Sequence, residues 1–407
     1  MRIIVVNDHG SVTGGAAQVA IASLNGLAQI GMDVTFLSSV GPVDRANIDA
    51  RVRIVNFGFE DVLSNPSRIN AAIHGVWDLR CAQAFGLVLD EYSQNDTIIH
   101  FHTWVKALSS SVIYEALQRG FRIVVTLHDY FSVCPNGGLY NYVTQSHCLI
   151  KPMSVTCALT NCDSRNYPQK VWRFVRHLAQ IKIGGMPTCT KNFIFVSDYS
   201  KNLLKPYLRP DAKFFRVRNP IGIPKAPAPT SSQGNIFTFV GRLSPEKGGK
   251  AFAAAAKKVN VRAVFVGQGP ENVEIQKINP NAELLGWNDR SGVIASMQAS
   301  RAVVFPSLLH ETQGLAVTEA AALGIPSIVA DGCAARDSVV DGITGLLFRS
   351  GDIDDLSQKI AMLNSDPALA LRLGQAAYSN YWANPSTLDS HVGELIECYG
   401  RIMDESN

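Results

Sequence analysis

Short apolar runs, each followed by a glycine-rich turn and a stretch long enough for a helix, recur along this chain and begin their cycle twice. Residues 3–6 are the first run; Gly10, Gly14 and Gly15 follow, then helix-forming residues 16–30 and a second run at 34–37. Similar runs stand at 97–100, 122–127 and 193–196. A run without polar alternation suits a strand buried on both faces, and strands alternating with helices build a parallel, doubly wound sheet. The cycle then restarts with a run at 236–240, the segment 241–249, a helix over 250–259 and a strand at 263–266. Later strands are expected at 301–305, 327–330 and 345–348. The expected class is therefore α/β, with two Rossmann-like domains facing across a cleft. The length of 407 residues fits this, being too great for one ordinary core and right for two domains of about 200 residues.

Prolines 220, 224, 227 and 229, followed by the polar residues 230–235, mark the linker. The expected domains are 1–220 and 221–382. Apolar residues make up 46% and charged residues 17% of the chain, a globular balance, and the net charge of +3 singles out no nucleic-acid partner. No apolar run approaches the ~18–20 residues of a membrane span. The opening residues turn polar too soon for a signal peptide, so a cytoplasmic protein with reduced cysteines is expected.

Two segments carry chemistry. In 305–326, FPSLLHETQGLAVTEAAALGIP, seven residues separate Glu311 from Glu319. A helix starting near Gly314 would leave Glu311 in the loop and put Glu319 on the second turn. The free amides at Gly314 and Leu315 would suit a diphosphate, with Glu319 reaching a ribose diol and Glu311 a sugar hydroxyl. A plain surface helix with a dipole-favoured carboxylate accounts for the same spacing. In 241–249, GRLSPEKGG, Arg242 offers a guanidinium fork and Lys247 a point charge on a glycine-rich strand-to-helix turn, again suited to a diphosphate.

These two motifs, with FVGQG at 265–269, LGW at 285–287 and DGITGLLF at 341–348, resemble glycosyltransferase family 4, the retaining enzymes of the GT-B fold. In the N-terminal half the likeness rests on Gly14-Gly15-Ala16, His128-Asp129 and Arg218-Asn219-Pro220. The resemblance implies that Arg242 and Lys247 hold the diphosphate of a UDP- or GDP-linked sugar and Glu319 its ribose. Glu311 would lie near the transferred sugar, Gly15 would allow close backbone approach, and Gly286 and Trp287 would lie against the base. His128, at the end of a strand, would stand on the N-terminal side of the cleft, with His100 and His102 near it. It also implies a C-terminal helix, 383–407, that packs back on the first domain, and no catalytic divalent metal. The acceptor would be a saccharide or lipid-linked saccharide in bacterial polysaccharide assembly. Gln313, Cys333-Ala334-Ala335 and Asp337 depart from the family pattern around the sugar pocket.

An insertion at about 131–165 holds Cys134, Cys148, Cys157 and Cys162, with 13, 8 and 4 residues between them. Cysteines at this density fit a structural zinc site, four separately buried thiols or, against the expected reducing compartment, disulfides. Beyond them, residues 164–197 carry six Lys or Arg and no Asp or Glu. Val171, Phe174, Val175, Leu178 and Ile181 recur there at helical spacing, so the helix either packs on the domain with solvated cations or touches an anionic membrane. Two rivals to sugar transfer share the architecture: a nucleotide-sugar epimerase, and a nucleotide-sugar-binding protein without catalysis.

Overall fold

The first strand, β1 (Arg2–His9), is buried along all its central residues, as its unbroken apolar run requires. Gly14 ends the turn after it and α1 (Gly15–Gln29) begins. In the computed structural model, which describes residues 1–230 and 234–404, the cycle continues through β2 (Asp33–Val40), β3 (Arg53–Asn56), α2 (Arg68–Val76) and α3 (Leu79–Leu89). Then come β4 (Thr97–Phe101), α4 (Ser111–Gln118) and β5 (Arg122–Thr126). The insertion forms a small hairpin, β6 (Tyr140–Asn141) and β7 (Ser146–His147), followed by α5 (Val155–Leu159) and α6 (Tyr167–Lys182). The domain closes with β8 (Asn192–Phe195), α7 (Asp198–Leu204) and β9 (Lys213–Arg216), giving a parallel seven-stranded sheet of order β3-β2-β1-β4-β5-β8-β9.

The second domain runs β10 (Ile236–Val240), α8 (Gly249–Lys258), β11 (Arg262–Val266), α9 (Asn272–Ile278), β12 (Glu283–Gly286) and α10 (Arg290–Gln298). It continues with β13 (Ala302–Phe305), α11 (Leu315–Ala322), β14 (Ser327–Ala330), β15 (Gly345–Phe348), α12 (Ile353–Ser365) and α13 (Pro367–Ala383). Its six strands are parallel in the order β12-β11-β10-β13-β14-β15. Strand order reverses at β1/β4 in one sheet and at β10/β13 in the other. Open α/β sheets bind ligands at the carboxyl ends of strands beside such reversals, and here the two reversals line the same cleft.

The last helix, α14 (Leu388–Asp404), lies on the first domain. Val392, Leu395 and Tyr399 join the core against α1, His391 Nε2 meets Ser23 Oγ at 2.8 Å, and the Tyr399 hydroxyl meets His100 Nδ1 at 2.7 Å. The chain thus crosses between domains twice. The crossings touch: the Ile221 amide donates to Ser386 O at 2.7 Å, and Arg218 binds both Glu394 and Asn384 O. Residues 231–233 of the expected linker and 405–407 of the tail lie outside the described residues.

Of the two orientations open for helix α6, the structure does not show the one with the apolar stripe packed inward and all cations solvated. Lys170, His177 and Gln180 are buried, while Val171, Val175 and Leu178 are exposed. Among the described residues no helix is long and apolar enough to cross a membrane.

Candidate active site

On the C-terminal side, the chain leaves β10 through the turn 241–248. Gly248 has φ 73°, and a Cβ there would stand 2.0 Å from Pro306 O, so only glycine lets this turn lie against the end of β13. That contact brings Lys247 to Glu311: Nζ and Oε1 are 2.6 Å apart, and Ser307 Oγ donates to the same oxygen at 2.6 Å. Both ends of the pair are mostly shielded from solvent, at 25% and 15% side-chain exposure. Glu311 itself has φ 48°. A residue without glycine's freedom in that conformation marks a loop held by its surroundings. Arg242 pairs with Glu246 at 2.8 Å, and Ser244 Oγ donates to that same carboxylate at 2.7 Å. Each proposed phosphate cation therefore already has a carboxylate partner.

Gly314, at φ 95°, caps α11, and its built Cβ would meet Ala335 Cβ at 2.5 Å, fixing the helix start against the loop after β14. Leu315 is the first residue of α11 and Glu319 lies on its second turn. Glu319 pairs with Arg290 at 3.2 Å, and burial raises its carboxyl above the ordinary range in spite of that guanidinium. The two residues line a cavity of about 220 Å³ with Gln18 of α1 and Pro220. Gly15 faces α11 across the cleft, its built Cβ 3.8 Å from Leu315 Cδ1, an ordinary contact. Trp287 is 73% exposed and lines a separate hollow of about 380 Å³ with Gly241, Arg242 and Gln268. Gly286, with φ 71°, accepts the Gly267 amide at 2.7 Å on the edge of that hollow.

On the N-terminal side, three histidines stack from β4 to the end of β5. Ring centroids are 4.2 Å apart for His100 and His102, and 5.1 Å apart for His102 and His128. His102 Nδ1 and His128 Nε2 are 2.8 Å apart. Burial drives all three rings toward the neutral form, His128 down to about 3, and neighbouring histidines also disfavour one another's protonation. A neutral ring has one donor and one acceptor nitrogen, and His102 Nε2 is buried with no partner among the described residues. Burial, with some repulsion from Asp8, also raises the Asp129 carboxyl to about 6, though it accepts the Phe131 amide at 2.9 Å.

The two sides meet. Thr312 Oγ1 donates to His128 O at 3.0 Å, the Tyr130 hydroxyl donates to Glu311 O, and Asn219 Nδ2 donates to Gln313 Oε1 at 2.6 Å. A cleft of about 190 Å³ remains, lined by His128, Asp129, Tyr142, Glu311 and Thr312. Two of the departures from the family pattern serve this closure: Gln313 receives Asn219, and Asp337 accepts the Tyr199 amide at 2.9 Å. Sequence reasoning missed Glu246, Ser307, Arg290, Tyr130 and Thr312. Glu246 and Ser307 sat inside quoted motifs, whereas Arg290, from a separate helix, carried no local signal.

The cysteines do not form the expected ligand set. Among the described residues, no group of three or more His, Cys, Asp or Glu side chains could hold a metal ion. Cys134 Sγ donates to Asn136 Oδ1 at 3.0 Å, Asn136 Nδ2 reaches Cys162 Sγ at 3.3 Å, and the buried ammonium of Lys170 donates to Cys157 Sγ at 3.4 Å. The sulfurs of Cys157 and Cys162 accept from an ammonium and an amide, while the Cys134 thiol donates. Cys148 is only partly buried, at the end of the hairpin.

Residues 225–380 match the model of the family described as glycosyl transferases group 1. The matched residues coincide with the second domain. The fold of the whole chain is GT-B. A GDP-mannose-dependent alpha-mannosyltransferase of Mycolicibacterium smegmatis is 38% identical over 169 residues, covering 41% of this chain and 44% of the relative. The chain thus spans less than half the length of that curated relative. An uncharacterised glycosyltransferase of Methanocaldococcus jannaschii is 26% identical over 71% of this chain and 82% of its own. Among solved structures, sucrose-phosphate synthase from Thermosynechococcus elongatus superposes over 100% of both chains with TM-score 0.71 and 18% identity. Anabaena HepE, in complex with UDP and glucose, superposes with TM-score 0.69 and 15% identity over 98% of this chain and 100% of its own.

Proposed function

We propose that the protein is a retaining glycosyltransferase that moves a hexose-type sugar from a nucleotide sugar to a saccharide or lipid-linked saccharide, in polysaccharide assembly and without a catalytic divalent metal. The observation that carries this reading is the Lys247–Glu311–Ser307 cluster facing His128 and Asp129 across a cleft of about 190 Å³. A pyranose ring fits such a space, with carboxylates and a neutral imidazole to accept and donate hydrogen bonds to its hydroxyls. Arg242, Lys247 and the first amides of α11 would stabilise the charge that grows on the departing diphosphate, which is the work a metal does elsewhere. Retention follows if the acceptor hydroxyl attacks from the face the diphosphate leaves, its proton passing to a phosphate oxygen. Glu319 and Arg290 would take the ribose, and Trp287 the base. GDP-mannose is the first donor to try, because the 38% identical relative is named for it, and UDP-sugars the second.

Nucleotide release from GDP-, UDP- and ADP-sugars, with and without EDTA, tests the proposal in wild type and Lys247→Ala. Release from one donor that survives EDTA and collapses in the variant is expected, with the product anomer matching the donor by NMR. Inversion, or loss of activity in EDTA, would refute the corresponding part. The exposed apolar stripe of α6, beside Arg165 and Lys182, also supports docking to an anionic membrane surface. Co-sedimentation with anionic but not neutral liposomes is expected, and Val175→Asp should abolish it.

A further inference from the structure

Helix α6 buries the wrong residues for a helix that only packs on its domain. An aliphatic side chain gains ~1.5–3 kcal/mol on full burial, yet Val171, Val175 and Leu178 are left 39–47% exposed while Arg173 and Arg176 turn inward. What they turn toward is a hollow of about 450 Å³ between α6, α2 and the loop after β4. Its floor is apolar, with Val62, Ala71, Val105, Phe131 and Trp172. Its polar groups are Arg68, Lys106, Arg165, Arg173, Arg176 and Gln169, and no carboxylate lines it.

Among the described residues, only Arg173 of these five cations has an ion-pair partner, Asp163 at 3.0 Å. Arg176 is held by carbonyls and rings: Val105 O at 3.4 Å, Pro135 O at 3.1 Å, and the faces of Phe131 and Trp172 at 5.2 Å. Loss of hydration, with repulsion from Arg173, lowers its affinity for the proton to about 10 in spite of Asp129, Asp8 and Asp163 nearby, none of which makes an ion pair with it. The loop that carries Lys106 is itself fixed, because Asp8 accepts the amides of Lys106, Ala107 and Leu108 at 2.9–3.1 Å. The rim is greasy as well: Leu63 and Ile69 are 54% and 73% exposed.

A hollow with an apolar floor, a ring of cations of which only Arg173 is ion-paired, and an apolar rim is complementary to one chemistry, an anion carried on a hydrocarbon chain. Two or three cations around one group match a phosphate or diphosphate better than a single carboxylate. The hollow also stands next to the proposed reaction cleft. Phe131 lines it, and the Asp129 carboxylate that lines the smaller cleft accepts the Phe131 amide. From these observations, and resting on the transferase reading above, we infer that the hollow between α2 and α6 binds the phosphate-bearing head and first chain segment of a lipid-linked acceptor. The sugar attached to that head then reaches His128 and Glu311, while the exposed stripe of α6 lies in the lipid from which the acceptor comes.

Farnesyl diphosphate serves as the probe, read by tryptophan fluorescence, with Trp172→Phe defining the signal from the hollow. Farnesyl diphosphate should quench Trp172, with farnesol and inorganic diphosphate each at least tenfold weaker, since each supplies half of the recognition. The double variant Lys106→Glu/Arg165→Glu alters two exposed side chains, so its fold is secure, and it should weaken the probe tenfold or more. The inference is overturned if farnesyl diphosphate gives no Trp172 signal, if farnesol or inorganic diphosphate binds equally well, or if the double variant binds unchanged. Nucleoside diphosphate binding, measured on the same samples, separates the two readings. Nucleotide binding without probe binding sinks this inference alone, and probe binding without nucleotide binding sinks the transferase reading on which it rests.

Discussion

Replacing Glu311 by Gln should pull two properties of the protein in opposite directions. In the structure Lys247 is neutralised by Glu311 at 2.6 Å, so a diphosphate must share this ammonium with a carboxylate already on it. A phosphate oxygen on the far side of Nζ would stand about 5–6 Å from the Glu311 oxygen. Two unit charges at that distance repel by roughly 3 kcal/mol at an effective dielectric of 20, and about half that at 40. Both partners are mostly shielded, so the range of about 1.5–3 kcal/mol applies, or about ten- to a hundred-fold in affinity. Glu311→Gln keeps the shape and the hydrogen bond from Ser307 while removing the competing charge. The variant should therefore bind free UDP or GDP ten- to a hundred-fold more tightly than wild type in titration calorimetry with EDTA present. Its sugar transfer should fall at least ~100-fold, because a carboxylate beside the sugar is gone. The free nucleoside diphosphate is the right ligand, since it has no sugar to lose contacts with Glu311. Unchanged or weaker nucleotide binding would refute the idea that Glu311 competes with phosphate for Lys247.

Other consequences are as direct. Gly248→Ala forces a side chain into φ 73° and onto Pro306 O, and should cost ~1–3 kcal/mol from the backbone alone while displacing Lys247; Gly393→Ala, at a helical position with open space, should instead stabilise by ~0.5–1 kcal/mol, both read by denaturant titration. Asp129 carries its proton up to about pH 6 in the folded protein against an ordinary 3.8, so its contribution is favourable at low pH and is lost as pH rises through 6. Asp129→Asn should hence gain on wild type by up to about 3 kcal/mol between pH 4 and pH 7, and a constant difference across that window would discount the burial of this carboxyl. Glu319→Ala should weaken UDP or GDP about ten- to a hundred-fold through loss of ribose hydrogen bonds, yet leave inhibition by inorganic diphosphate unaltered.

The strands legible in the sequence were those buried on both faces, such as β1, β5 and β10, where an unbroken apolar run is the only composition the environment tolerates. The strands at 53–56, 213–216 and 283–286 went unread because each is the outermost of its sheet or close to it, flanked by Arg53, Lys213 and Glu283 that face water. Helix α6 was found with both orientations of its apolar stripe left open, since periodicity reports a stripe and not which side the stripe faces. On the cleft, Lys247 and Glu311 could be named because their motifs lie in continuous segments. Their direct bond could not, because it depends on Gly248 settling against Pro306, a contact between two loops 58 residues apart. The same holds for Arg290 with Glu319, and for the cysteines, whose spacing says nothing about the Asn136 and Lys170 groups that fold in among them.

The paired crossings at 217–222 and 384–388 have a mechanical meaning. A single linker would let one domain swing and twist freely about the other. Two strands of chain tied side by side by Ile221–Ser386 and by Arg218 make a door hinge with one axis. Opening along that axis breaks the contacts of Tyr130, Thr312 and Asn219 together rather than one at a time. On the proposed transferase reading, release of a spent nucleotide and entry of the next donor would be phases of one swing, and its rate would cap turnover.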